Sequence, residues 1–252
     1  MDAFLADDAL APPGADALFS ERLIRLPRIP LAYLPPDDMP PVAPLPSAAS
    51  GVVTFGYFGR PERLNEGVIA TWSRILAARP DSRLVLNSLN FGETAFRELF
   101  AGRFARHGIG GDRLVMVATA PQPRTWEVYG AIDIALDPFP HNGGTTTIEA
   151  LWQGVPVVTL AGRPTVGRFG AAILHAVGLD DWVTDGVDAY VARAVAATAD
   201  SAALAALRAT LRSRLRDSPL LDAAGLARMV EATCRGLWQA VCAAPVFDMA
   251  AD

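Results

Sequence analysis

The sequence predicts an α/β protein: a Rossmann-like, doubly wound parallel sheet with a proline-rich N-terminal strap and a C-terminal helix. Three observations carry this. Ten of the 20 prolines fall within residues 1–50. From residue 51, short apolar runs alternate with segments of helical period. After residue 187 only helical pattern remains.

Proline lacks the amide donor that helices and sheets need, so residues 1–50 read as an extended strap. Leu23, Ile24, Leu26, Ile29, Leu31, Tyr33 and Leu34 give it apolar groups to lie against a surface. Residues 20–46 are therefore expected to be extended and partly exposed, facing a lobe outside this chain. The next unit, 51–221, reads as a Rossmann-like domain. VVTFGYF (52–58) reads as a strand, and Asn65 to Ala78 as a helix stopped by Pro80. RLVLNSL (83–89) is a strand, and Glu93 to His107 a helix. RLVMVA (113–118) is a strand, and Arg124 to Gly130 a short helix. DIALD (133–137) precedes a helix from Thr145 to Gln153; PVVTL (156–160) precedes one from Arg168 to Val177. A last short strand is WVT (182–184). Strands that are almost wholly apolar and alternate with helices imply a parallel sheet covered on both faces. The final unit, 222–252, is a helix and tail.

Composition narrows the function. The chain has 252 residues, 51% hydrophobic and 19% charged, enough for a large core and unlike a disordered chain. A formal net charge of -5 argues against a nucleic-acid partner. All 22 cations are Arg, so any anion held by a cationic side chain is held by Arg. No run approaches the ~20 apolar residues of a membrane span. The acidic start lacks the basic region of a secretory signal, and a cytoplasmic address is expected. Cys234 and Cys242, eight apart, are expected to be buried, inert thiols. His107, His141 and His175 show no metal spacing, and neither metal nor cofactor is expected.

In open parallel sheets, ligands bind at the carboxyl ends of strands. The loop that stands out there is Asp137-Pro-Phe-Pro-His-Asn-Gly-Gly-Thr-Thr-Thr-Ile-Glu149. Asn142, Gly143 and Gly144 allow close backbone approach, and Thr145 and Thr146 open a helix whose free amides and dipole suit a phosphate. Glu149, one turn on, suits ribose hydroxyls. The competing reading is a turn at Asn142-Gly143 with Thr145 as a helix cap. Arg60 and Arg63, after the first strand, can clamp a diphosphate; read alone, they make a solvated turn. The loop 118–123 offers backbone groups for a base edge.

These residues are familiar. The stretches VVTFGYFGRPERLN, DIALDPFPHNGGTTTIEALWQGVPVVTLAGRPTVGRFGAAIL and SPLLDAAGLARMVEATCRGLW resemble the C-terminal catalytic lobe of O-GlcNAc transferase and SPINDLY-type glycosyltransferases. The strap, with LAYLPPDDMPPVAPLP, resembles the link between the family's two lobes. The resemblance implies a GT-B fold and transfer of N-acetylglucosamine from UDP-GlcNAc to Ser or Thr of a protein. It puts Arg60 and Arg63 on the phosphate-contacting loop and Gly144, Thr145 and Thr146 on the diphosphate-binding helix start. It puts Glu149 on the ribose, and Ala120, Gln122 and Thr125 on the uracil-contacting loop. The family usually has Lys at Arg63, and often Lys at Gln122 and His at Thr125; Trp126 is the ring that stands nearest to the last of these. Those departures leave another donor open, such as a CMP-nonulosonic acid used on flagellin. The family's N-terminal lobe, expected to carry the base, and its TPR-type repeats have no counterpart in this sequence. The chain is then expected to be a fragment or a domain acting with that lobe in cis or trans; the alternative is a non-catalytic nucleotide- or protein-binding module.

Overall fold

The structure, a computed structural model, describes residues 2–119 and 124–243. Strands β1 (Ala3–Ala6) and β2 (Arg22–Arg25) pair in parallel, and a short helix α1 (Pro46–Ser50) ends the strap. The main unit follows: β3 (Thr54–Phe58), α2 (Glu66–Ala78), β4 (Arg83–Asn87), α3 (Thr94–Ala105), β5 (Leu114–Val117) and α4 (Arg124–Tyr129). Then come β6 (Ile134–Leu136), α5 (Thr145–Trp152), β7 (Val157–Leu160), α6 (Phe169–Ala176), β8 (Val183–Thr184), α7 (Val187–Ala196), α8 (Ser201–Arg216) and α9 (Ala223–Ala243).

The six strands of the main unit run parallel in the order β5-β4-β3-β6-β7-β8. Counted from its own first strand, this is the 3-2-1-4-5-6 order of a doubly wound sheet. α2 packs with α3 and α7, and α5 with α6 and α8, so both faces are covered. That is why β3, β6 and most of β7 are buried, leaving no polar alternation along them. Each predicted strand and helix of residues 51–221 is present, with ends that agree to within two residues. Among the described residues, no single helix is long and apolar enough to cross a membrane.

The strap departs from the sequence reading. It contains the β1–β2 pair and α1, neither of which was expected, and Leu26, Ile29, Met39 and Leu45 are buried. Leu34, 88% exposed, does meet the expectation of exposed apolar groups. The physical reason is a set of donors on the main unit that match the strap's main-chain carbonyls. Arg208, only 2% exposed, gives Nε to Ala43 O at 2.7 Å and Nη1 to Ile132 O at 2.9 Å. Arg212 Nη2 reaches Pro40 O at 2.6 Å, and Arg168 Nε reaches Ala9 O. Asp133 accepts from Ser47 N at 2.9 Å and Thr54 N at 2.7 Å, fixing where strap becomes sheet.

The cysteine expectation is corrected. Cys234 and Cys242 are both exposed, because α9 has no buried residue along its described length. Trp238 is 67% exposed on the same helix. The apolar side chains of α9 that are best covered, Leu226, Met229, Val230 and Leu237, are only half-buried, and the cysteines lie off that stripe.

Arg208→Ala is expected to destabilise the chain by about 3 kcal/mol or more, since it removes two charge-assisted hydrogen bonds and leaves a buried gap. A lower melting temperature with faster proteolysis near residues 40–45 checks this; an unchanged melting temperature contradicts it.

Candidate functional site

At the carboxyl rim of the sheet, Phe58 of β3, Asn87 of β4 and Val117 of β5 stand in register. β3 and β6 are neighbours whose onward connections run to opposite sides of the sheet. Their loops therefore part and leave a crevice, the place where ligands bind in such sheets. The two segments singled out by the sequence, 59–65 and 137–149, are the two loops that leave β3 and β6.

They are tied to each other. Arg63, half-buried, gives Nη1 to Asn142 O at 3.1 Å. Asn65 caps α2 by accepting from Val68 N at 3.0 Å, and its Nδ2 reaches Phe139 O at 2.7 Å. Arg60 is exposed at the crevice edge. A cleft of about 450 Å³ opens beside it, lined by Gly59, Glu62, Ser88 and Asn90 among others, within the range of small-ligand sites. Burial and then the charges of Arg63 and Arg60 hold His141 below its usual value, so this edge of the crevice carries a positive field.

The loop 137–144 is spent largely on itself. Asn142 Nδ2 donates to Pro138 O at 3.0 Å, and Asn142 N to Val166 O at 3.1 Å. Gly143 N donates to Asp137 Oδ1 at 2.6 Å. The sequence reading set Asn142 and Gly143 against the donor; in the structure the Asn142 side-chain amide and the Gly143 N–H are bonded inward, and the Asn142 carbonyl accepts from Arg63. Gly144, half-buried, is the N-cap of α5 and makes no side-chain cap bond, so Thr145 is not the cap of the competing reading. Thr145 is exposed and Thr146 half-buried at the first turn, where backbone amides lack helical partners.

Glu149 lies 9% exposed, one turn into α5. Tyr129 donates its hydroxyl to Glu149 Oε2 at 3.3 Å, and the Tyr129 ring stacks on Phe58 at 3.8 Å. Burial pushes the Glu149 carboxyl up, against the pull of the Tyr129 hydroxyl. Tyr33 of the strap is pushed up to about 12, first by burial and then by the Glu149 charge, so the strap runs close behind this carboxylate. Ala120 and Gln122 lie outside the described residues, and of Thr125 only the backbone in α4 is described. Trp126 is 1% exposed and belongs to the core, so it is no substitute for an imidazole at the ligand. Among the described residues no group of three His, Cys, Asp or Glu gathers as metal ligands.

Sequence reasoning missed Asn65, Asp137, Tyr129 and Tyr33. Asp137 had a usable signal, a carboxylate ending an apolar strand next to a glycine loop; the tyrosines act across long sequence separations and had none. Burial pushes Asp137 up from 3.8 to about 7, while Thr159, Gly143 and Arg63 pull it down. A raised carboxyl favours the fold most at low pH, and this contribution is lost as pH rises from 3.8 through about 7. Asp137→Asn is accordingly expected to flatten the fall in melting temperature across that window. A variant with the same pH slope as the wild type contradicts this.

Comparisons with known proteins give the family of the chain. Residues 45–229 match the family model for glycosyl transferase family 41. A tomato (Solanum lycopersicum) protein, a probable UDP-N-acetylglucosamine–peptide N-acetylglucosaminyltransferase SPINDLY, is 35% identical over 93% of this chain and 26% of its own. The Arabidopsis thaliana SPINDLY protein is 34% identical over 96% of this chain and 27% of its own. A variant of the O-GlcNAc transferase from Thermobaculum terrenum superposes with a TM-score of 0.88 at 35% identity, over 96% of this chain and 46% of that one. The Anabaena protein HepE, solved with UDP and glucose, shares only the fold, with a TM-score of 0.54 at 16% identity. The chain thus spans about a quarter of the curated relatives and about half of the bacterial structure. On the match over 185 residues and on the identity to these relatives, the chain belongs to glycosyl transferase family 41.

Proposed function

We propose that this chain holds the nucleotide-sugar donor for transfer of a sugar to a protein hydroxyl, with UDP-N-acetylglucosamine as the donor. The observation that carries the reading is the junction made by Arg63, which joins the loop after β3 to the glycine loop before α5. That junction sets Arg63 against the glycine loop that opens α5, an arrangement suited to a phosphate, and Arg60 is three residues away along the same loop. The names of the tomato and Thermobaculum terrenum relatives support the donor and the protein acceptor.

In this reading Arg60, Arg63, Gly144, Thr145 and Thr146 hold the diphosphate, with Asn142 and Gly143 shaping the loop behind it. Glu149, oriented by Tyr129, accepts from the ribose hydroxyls. Ala120, Gln122 and Thr125 border the base. In transfer, the acceptor hydroxyl oxygen bonds to the anomeric carbon as the bond from that carbon to the phosphate oxygen breaks. UDP leaves with the electron pair, and the hydroxyl proton goes to a base outside this chain. Arg63 and the α5 amides stabilise the charge that grows on the leaving phosphate. The acceptor surface and the base belong to the greater length of the relatives, supplied in cis or in trans.

Titration of the chain with UDP, GDP and CMP tests the reading; binding of UDP over the other two is expected, and binding of none contradicts it. Thr145→Val with Thr146→Val should weaken UDP by roughly tenfold or more, since hydrogen bonds to a charged acceptor are worth about 1.5–3 kcal/mol each. The melting temperature should barely move, because neither threonine caps the helix. Glu149→Gln should weaken uridine as well as UDP. Loss of UDP binding that leaves uridine untouched in that variant would remove Glu149 from the ribose.

A further inference from the structure

We infer that Asp137 is a positioning residue for the donor: by accepting the Gly143 N–H it fixes which way the 142–143 peptide faces, and so directs both Arg63 and the start of α5 at one diphosphate. The inference rests on the donor reading above and adds a residue that the comparisons do not single out.

The carboxylate is held on every side. Asp137 N donates to Val158 O at 3.0 Å, and Asp137 O accepts from the Tyr190 hydroxyl at 3.0 Å. That hydroxyl is itself set by Trp72 Nε1 at 3.2 Å. Of the carboxylate oxygens, Oδ1 accepts from Gly143 N and Oδ2 from Thr159 Oγ1, each at 2.6 Å. A peptide unit is planar and trans, so its N–H and C=O point opposite ways. With the Gly143 N–H turned in to Asp137, the Asn142 carbonyl is turned out, and it is the group that takes Arg63 Nη1 at 3.1 Å. One carboxylate thus sets the position of a cation one peptide away.

Two glycines make room for this. A Cβ on Gly143 would stand 2.6 Å from Thr147 Oγ1 and 3.2 Å from Asp137 Oδ1. A Cβ on Gly170 of α6 would collide with Asp137 Oδ2 and Thr159 Oγ1. Neither glycine has a positive φ, so both are needed for space and not for backbone conformation. A carboxyl this buried is costly when ionised, and burial does push it up to about 7. The charged and titratable groups around it are Arg63 after β3, Tyr57 on β3 and Tyr190 on α7. A fold that wanted only a filled space here would do better with an apolar side chain. What the carboxyl supplies is an acceptor for Gly143, which an amide oxygen also supplies.

The experiment compares wild type, Asp137→Ala and Asp137→Asn by calorimetric titration with UDP and with uridine at about pH 8, where the terminal phosphate (second pKa about 6) is ionised. Asp137→Ala is expected to weaken UDP about tenfold or more and to leave uridine within about twofold. Asp137→Asn, which keeps the acceptor for Gly143 and offers Thr159 a donor, is expected to recover most of the UDP affinity. If Asp137→Ala does not fold, Thr159→Val takes its place, with a weaker UDP affinity and an unchanged uridine affinity expected. UDP affinity unchanged in these variants, an equal loss of uridine, or no recovery in Asp137→Asn overturns the inference while the donor reading stands. A wild-type chain that binds neither ligand overturns both.

Discussion

Two residue pairs join the halves of the main sheet. β3 and β6 pair at Phe55–Ile134 and Gly56–Ala135, with Asp133 N donating to Thr54 O at 2.8 Å just before them, and both loops of the site leave from that short seam. Gly56 makes it close-fitting: a Cβ there would stand 2.5 Å from Ile132 Cδ1. On one side of the seam the chain winds outward through β4 and β5, on the other through β7 and β8. The loops leaving these two central strands diverge from adjacent strands, and the crevice is the space between them. Arg63 and Asn65 then span from one loop to the other, so the seam is closed again above the sheet by polar contacts.

Much of this was legible in the sequence, for physical reasons that can be named. A strand buried on both faces must be apolar throughout, and VVTFGYF and PVVTL declare that without help from neighbours. Two glycines before three threonines mark a backbone built for close approach, and Thr145 and Thr146 do stand at the rim. The β1–β2 pair was not legible. Four-residue strands amid prolines carry too little alternation to be seen, and their pairing spans the 3–25 region. Nor was the environment of Glu149, which is made by Tyr129 from α4, with Tyr33 from the strap close behind. Spacing along the chain cannot report contacts of that kind. The exposed Cys234 and Cys242 show the complementary failure: periodicity reveals a helix face but not whether anything lies on it.

Burial also decides which polar groups at the site are framework and which are offered to solvent. Asp137, Asn142, Thr147, Glu149 and Thr159 are buried, whereas Arg60 and Thr145 are exposed. Glu149 sits between these roles: it is nearly covered, yet it is one turn from the exposed threonine. Its elevated carboxyl reflects the same low-polarity surroundings that strengthen any hydrogen bond it makes.

The arginines that hold the strap grip carbonyl oxygens of Ala9, Pro40 and Ala43. A guanidinium bound to main-chain oxygen is indifferent to the side chain it passes. Most of the segment can therefore change composition while its route over the domain stays the same, and the record of that route is written in Arg168, Arg208 and Arg212. In distant homologues the path of the connector should be traceable from those three positions even where its own residues no longer align.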